Sequence, residues 1–298
     1  MKPALIIGST CVDLILTMDR LPKTGDDIEP TSQTMTIGGC AYNVSHMLRL
    51  LGADHTFVTP VGGGMFGDFT RKQFERQGIP VSVYLPEKES GCCYCLVEKS
   101  GERSFLAYHG VEYTFCEEWM EDYPAENYGW TYICGLEIEE PTGWDLIVYL
   151  EKHPELQLCY APGPRGVYIE REKTERIYGL SPMLHVNERE AKELSGQTDY
   201  RAAARILQKK TGNTVIITLG AEGAYCLEKD GSEYSVPAVQ PEMVVDTIGA
   251  GDAHIGTVLA CLTMDWPLKD AIAYANRVSA AVIGVQGGTL PADKLPER

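Results

Sequence analysis

Short apolar runs alternate with amphipathic stretches along nearly the whole chain, and no other feature restricts the fold as much. Residues 4–7 and 56–61 read as strands, each followed by glycine, while 41–51 and 67–77 read as helices ending at Gly52 and Gly78. Further strands are expected at 132–134, 156–160, 183–186 and 214–218, with helices at 143–152, 188–194 and 200–210 between them. Strand, helix and strand in succession close as right-handed crossovers. The expected class is therefore α/β, a mostly parallel sheet covered by helices on both faces, with ligands at the carboxyl ends of its strands. Two stretches break the alternation. Residues 13–37 carry Pro22, Gly25 and Pro30 between β-like pieces, and 91–110 read as a hairpin of 92–97 and 103–108 joined at Lys99-Ser100-Gly101-Glu102. With no internal repeat or long linker, residues 1–298 are expected to form a single domain with these two segments inserted.

The run Asp246-Thr247-Ile248-Gly249-Ala250-Gly251-Asp252 enters a helix of small apolar residues, 253–262. Glycines flanking an alanine let backbone approach a ligand closely, and the first-turn N–H groups point at whatever sits there. The helix dipole adds roughly half a positive charge at that point, so an anion is stabilised without a cationic side chain. Asp252 in this turn can take a proton from a hydroxyl while the N–H groups of Gly249, Ala250 and Gly251 hold charge developing on a phosphoryl group. A helix-capping Asp is the plainer reading of Gly-x-Gly-Asp alone.

This heptad resembles the C-terminal signature of the ribokinase-like (PfkB) carbohydrate kinases. Gly38-Gly39-Cys40-Ala41-Tyr42-Asn43-Val44 is similar to that family's other signature, about two hundred residues earlier. The resemblance spans nearly the whole chain and implies a ribokinase-like fold, with 13–37 and 91–110 as a small β lid that often pairs between subunits, hence a homodimer. It also implies an ATP-dependent kinase with Mg2+ and K+ as further cofactors and a sugar or sugar-like acceptor. Asp252 matches the family's base and Gly249, Ala250 and Gly251 its anion hole, while Asp13, Gly38, Gly39, Asn43 and Glu137 match positions that contact the sugar. For the nucleotide, Asn187 and Glu190 resemble the Asn-x-x-Glu motif that organises Mg2+ and phosphates through water. Thr218, Gly220 and Gly223 resemble the turn that approaches ATP, and Asn276 lies on the late helix lining the adenine pocket. A monovalent-cation loop would use Asp246 and the Ile248 carbonyl on one side and carbonyls around Val282, Val285 and Gly287 on the other. Without the family match, Asn187 and Glu190 would form a capping box, and both roles can hold at once.

Cys40 stands where ribokinases proper tend to carry lysine, and Tyr42 where they carry a small residue. A thiol offers almost no donor to a second phosphate, so neutral acceptors are expected over phosphorylated ones unless Arg103 or Arg165 supplies the charge. Tyr42 keeps open a nucleoside kinase of the same fold, adenosine- or pseudouridine-type, if its ring borders the pocket and is not turned into the core.

The formal charge of −16 argues against nucleic-acid or anionic-membrane partners. No apolar run reaches the ~18 residues needed to span a bilayer. Without signal-peptide features, a cytoplasmic location is expected. The ten cysteines are scattered, and only Cys92 and Cys95 have CxxC spacing. Residues three apart on a strand face opposite ways, so these two are not expected to converge on a metal. Gly62-Gly63-Gly64-Met65-Phe66-Gly67 satisfies a dinucleotide fingerprint between a strand and a helix. A nicotinamide-dependent dehydrogenase is thus a rival, weakened because the strand that should end in the confirming acidic residue runs into the hairpin. Family members usually carry Asp where Gly64 stands. A non-catalytic relative is the third reading, and the presence of Asp252, Asn187 and Glu190 counts against it.

Overall fold

The computed structural model describes residues 1–100 and 102–298; Gly101, in the expected hairpin turn, lies outside the described residues. In chain order the elements are β1 (Ala4–Ile7), β2 (Cys11–Met18), β3 (Ser32–Gly38), α1 (Cys40–Leu51), β4 (His55–Val58), β5 (Pro60–Gly63), α2 (Gly64–Gln77), β6 (Val83–Glu89), β7 (Cys92–Glu98) and β8 (Arg103–Tyr108). They continue as β9 (Trp130–Cys134), α3 (Gly135–Glu139), α4 (Gly143–Lys152), β10 (Gln157–Ala161), α5 (Arg171–Gly179), β11 (Met183–Asn187), α6 (Glu188–Ser195), α7 (Tyr200–Thr211), β12 (Val215–Thr218), β13 (Ala224–Leu227), β14 (Glu233–Val236), α8 (Ala250–Thr263) and α9 (Leu268–Ile283).

The chain divides into two compact units, one of Met1–Gly8, Cys40–Val58 and Thr114–Arg298, the other of Ser9–Gly39 and Thr59–Tyr113. In the first, a sheet of order β14-β13-β12-β11-β10-β9-β1-β4 is parallel from β12 to β4 and antiparallel at β12–β13–β14. Its parallel strands are predominantly apolar because both faces are covered; Ala4, Leu5 and Ile6 of β1 are fully buried. The helices start and stop where the chemistry directs: Asp199 accepts the Ala202 N–H at the head of α7, and left-handed Gly78, Gly196 and Gly212 close α2, α6 and α7. Helices α1 and α8 pack closely at Gly256, where a Cβ would lie 2.9 Å from Met47 Cβ and 3.2 Å from Val44 Cα.

The second unit holds the sheet β3-β2-β7-β8, the parallel pair β5–β6 and α2, so both segments that interrupt the alternation fall within it. The hairpin forms, β7 running antiparallel to β8. Residues 56–61, expected as one strand, are two: β4 ends at Val58 in the large sheet, while β5 begins at Pro60 and pairs with β6. Proline has no N–H to extend a ladder, and the Thr59 N–H goes instead to Ser82 Oγ at 2.8 Å. Helix α2 begins at Gly64, three residues before the expected 67, and α5 was not expected. Among the described residues no helix is long and apolar enough to cross a membrane.

Candidate active site

The heptad is built as a turn entering a helix. Gly249 precedes α8 at φ 72°, a left-handed conformation, and a Cβ there would overlap the Gly288 backbone. The turn is tied down by Ala253 N–H to the Gly249 carbonyl at 2.8 Å and by Ser279 Oγ to the Ala250 carbonyl at 3.2 Å. The N–H groups of Gly251 and Asp252 have no acceptor within the helix, and Gly251 is exposed with nothing within 4 Å of a would-be Cβ. The head of α8 thus presents backbone donors to open space.

Asp252 sits at this helix head, half-buried, and its Oδ2 accepts a 2.8 Å hydrogen bond from Asn43 Nδ2 on α1. Burial raises its pKa to about 6, against the opposing pull of the hydrogen bonds from Asn43 and Cys40; the charges of Glu190 and Glu137 raise it further. Such a carboxylate is ionised at neutral pH yet more basic than an ordinary aspartate, as a general base should be. Among the described residues Asn43 Oδ1 has no hydrogen-bond partner, and Asn43 is only 6% exposed. An acceptor lone pair is therefore left for a donor not supplied by the protein.

Beside this pair, Cys134 Sγ donates to Glu137 Oε2 at 2.8 Å, with Glu137 almost fully buried. Cys134 also hydrogen-bonds Cys40, favouring the Cys40 thiolate, but burial and the carboxylates of Asp252 and Glu137 outweigh that and hold the thiol above its usual pKa. Gly8 makes room for this cluster: a Cβ there would lie 2.8 Å from both Ala41 Cβ and Glu137 Oε1. Asp13, Gly38 and Gly39 belong to the second unit. There a Cβ on Gly38 would overlap Asp13 Oδ2, and one on Gly39, at φ 98°, would lie 2.7 Å from the Ser9 carbonyl.

A cleft of about 420 Å3, the size of a small-molecule site, is lined by Thr218, Gly220, Gly223, Ala250, Gly251 and Asn276, together with His254, Ser279, Gln240 and apolar side chains that include Val239, Val244 and Ile283. Thr247, Ala250 and Gly251 of the heptad thus share one cavity with the predicted nucleotide residues Thr218, Gly220, Gly223 and Asn276, whereas Asp252 does not line it. Asn187 and Glu190 do not line it, but Asn187 is the β11 neighbour of Thr218. They form a complete capping box, Asn187 Oδ1 accepting the Glu190 N–H at 2.8 Å and Glu190 Oε2 accepting the Asn187 N–H at 3.0 Å. Asn276 is engaged internally, donating to the Val236 and Pro237 carbonyls at 3.1 and 3.0 Å and meeting His254 Nε2 at 3.2 Å.

His254 was not assigned a role from the sequence. It bridges Asn276 and His185 Nε2, the latter at 2.9 Å, and burial holds its pKa down to about 4, so it is neutral. The available signal was a titratable residue two positions past Asp252 in an otherwise small, mainly apolar helix. For Ser279, Gln240 and Cys134, spacing offered none.

In the loop expected to hold a monovalent cation, Asp246 is buried, with Oδ1 accepting the Ile248 N–H at 2.8 Å and Oδ2 the Gly287 N–H at 3.1 Å. The Val285 N–H bonds the Val282 carbonyl at 3.1 Å. The donors left over are a carboxylate and backbone carbonyls, an all-oxygen set that fits a hard cation. The glycines of the dinucleotide fingerprint have a structural use: a Cβ on Gly67 would overlap the Gly62 carbonyl, and one on Gly62 would lie 2.6 Å from the Ser90 nitrogen.

A family model described as the pfkB family carbohydrate kinase matches residues 1–295. The chain is 32% identical to the uncharacterized sugar kinase YegV of Escherichia coli, over 96% of this chain and 90% of that protein. It is 27% identical to mouse ketohexokinase, over 96% and 97% of the respective chains. Among solved structures, Arabidopsis thaliana ribokinase complexed with ribose and ATP superposes with a TM-score of 0.81 at 16% identity, over 99% of this chain and 96% of that one.

Proposed function

The chain belongs to the pfkB family of carbohydrate kinases, phosphotransferases acting on an alcohol group, and from that premise we propose that it transfers the γ-phosphoryl group of ATP to a hydroxyl of a neutral sugar or sugar-like compound. The observation that carries this reading is the Asn43–Asp252 hydrogen bond at the head of α8, where a base, an unfilled acceptor and free backbone donors meet. Asp252 takes the acceptor's hydroxyl proton while Asn43 Oδ1 receives a second hydroxyl. The turn Gly249–Ala250–Gly251 stabilises charge on the transferring group. Asp13, Gly38, Gly39 and Glu137 keep acceptor-binding roles by family correspondence. ATP occupies the cleft with its base end toward Asn276. Mg2+ would be held by Glu190 with Asn187 and would shield the phosphates that a protein of charge −16 otherwise repels.

Neutral acceptors are favoured because the cations that could hold a second phosphate are few. Arg165 is already paired with Glu139, and the Cys40 thiol stays protonated beside two carboxylates. A nucleoside acceptor loses the support of Tyr42, whose ring is 3% exposed and turned into the core. Assayed for ADP release across neutral sugars, nucleosides and sugar monophosphates, the enzyme is expected to show its highest kcat/KM on a neutral sugar. A phosphorylated best acceptor would refute the inference from Cys40 and direct mutagenesis to Arg103 and Arg165.

K+ would be held by Asp246 with the carbonyls of Ile248, Val282, Val285 and Gly287, and it would order the turn that Gly249 begins. Activity is therefore expected to rise when K+ replaces Na+, through kcat or nucleotide affinity; indifference to a bulky organic cation would remove the loop from the mechanism. On one face the lid sheet exposes Leu106 and Tyr108 of β8 beside Tyr94 of β7, the register partner of Leu106. That apolar strip supports pairing of two copies through the lid. Light scattering should give a dimer, and a monomer at assay concentrations would exclude the pairing.

A further inference from the structure

The second unit carries a side-chain cluster whose two cysteines phosphoryl transfer does not require. Strands β2 and β7 run parallel with Asp13 opposite Cys93. Residues two apart on a strand share a face, so Cys95 joins Cys93 and Asp13 on one side of the sheet, whereas Cys92 points to the other. One ligand atom from each of Asp13, Cys93 and Cys95 lies within 4.8 Å of the others, and the two sulfurs are 3.9 Å apart. Two thiolates on a tetrahedral zinc, each at ~2.3 Å, stand about 3.8 Å from one another. The sulfur pair is already at that separation. The carboxylate is confined as well: any side chain at Gly38 would overlap Asp13 Oδ2.

We propose that Asp13, Cys93 and Cys95 form a binding site for one thiophilic divalent cation of the Zn2+ class. Two soft sulfurs and one oxygen select zinc or cobalt over magnesium or calcium, which take all-oxygen sets. Cys95 is buried and anchors the ion, while Cys93 and Asp13 are half-buried, leaving an outer side for entry and for a water as fourth ligand. On binding, the metal–sulfur bonds replace the two S–H bonds and both protons pass to buffer. If Asp13 also binds acceptor hydroxyls, an occupied site withdraws it from the acceptor. That consequence, unlike the site, rests on the role proposed for Asp13 above.

The probe is Co2+, titrated into the full-length protein kept reduced with a phosphine, following the sulfur-to-cobalt charge-transfer absorption. One equivalent per chain is expected to develop the band, and Zn2+ to abolish it. Cys92→Ser should leave the band intact. Cys93→Ser should weaken Co2+ affinity more than about tenfold, the scale on which even outer-shell partners of a metal matter, and Cys93→Ser/Cys95→Ser should lose the band. Cys93 is half-buried, so the single variant tests the site even if the double variant does not fold. No band in the wild type, or an undiminished band in Cys93→Ser, overturns the proposal. A separate assay reads the consequence: Zn2+ should raise the acceptor KM of the wild type and not of Cys93→Ser. Binding without that effect would confirm the metal site and remove Asp13 from acceptor binding.

Discussion

Asp252→Asn is expected to lower kcat by at least ~10²-fold, the scale of a lost general base, while leaving the nucleotide KM near its wild-type value. Asparagine preserves the shape at the head of α8 and can still meet Asn43 after an amide flip, so the loss would reflect proton acceptance alone. Stability should move the other way. The carboxyl's folded-state pKa is raised to about 6, so its stabilising contribution is present below its unfolded value of ~3.9 and is lost as pH rises through about 6. At pH 8 the ionised Asp252 is a burden on the fold that asparagine removes. The variant's Tm should therefore equal or exceed wild type at pH 8, with the difference vanishing near pH 4. A variant turning over within a few-fold of wild type would show that another group takes the proton.

Gly249→Ala is expected to be damaging for a different reason. Its φ of 72° disfavours any side chain, and the added Cβ would overlap the backbone of Gly288. Left-handed geometry alone costs roughly 1–2 kcal/mol. Relieving the overlap must move either the turn or residue 288, and Gly288 lies against the Asn43 amide. Both the anion hole and the base's partner would shift. A fall in kcat of about 10²-fold, the effect of losing one preorganised oxyanion donor, should accompany a Tm lowered by several degrees. Gly251→Ala is the control: nothing lies within 4 Å of its would-be Cβ, so it should keep its Tm and lose nucleotide affinity instead. Wild-type kcat in Gly249→Ala would take the turn out of catalysis.

The fold class was legible because periodicity reports burial. β1 is apolar throughout and β11 is buried from Met183 to Val186, as strands of a covered parallel sheet must be, and α1 and α7 end within a residue of their expected limits. The break at Thr59 was missed because an apolar run does not disclose which sheet each half joins, although Pro60 marked the place. Structure local in sequence was the most legible: the Gly249 turn and the Asn187–Glu190 box each form within a few positions. The Asn43–Asp252 bond spans 209 residues and depends on Gly256 letting α1 approach α8, which only the packing reveals. The opposite faces expected for Cys92 and Cys95 are those of the strand register. The two-residue interval of Cys93 and Cys95 puts both on the face of Asp13, a neighbour that only the β2–β7 pairing reveals.

The most direct test of Asp252 as the base is the pH dependence of kcat/KM, measured on the wild type and on Asp252→Asn with saturating Mg2+. In the wild type the rate should fall tenfold per pH unit below a limb near 6, because protonated Asp252 cannot accept the hydroxyl proton. The residual activity of Asp252→Asn should be flat through that range. A limb that persists unchanged in Asp252→Asn would assign the ionisation to another group and contradict the account.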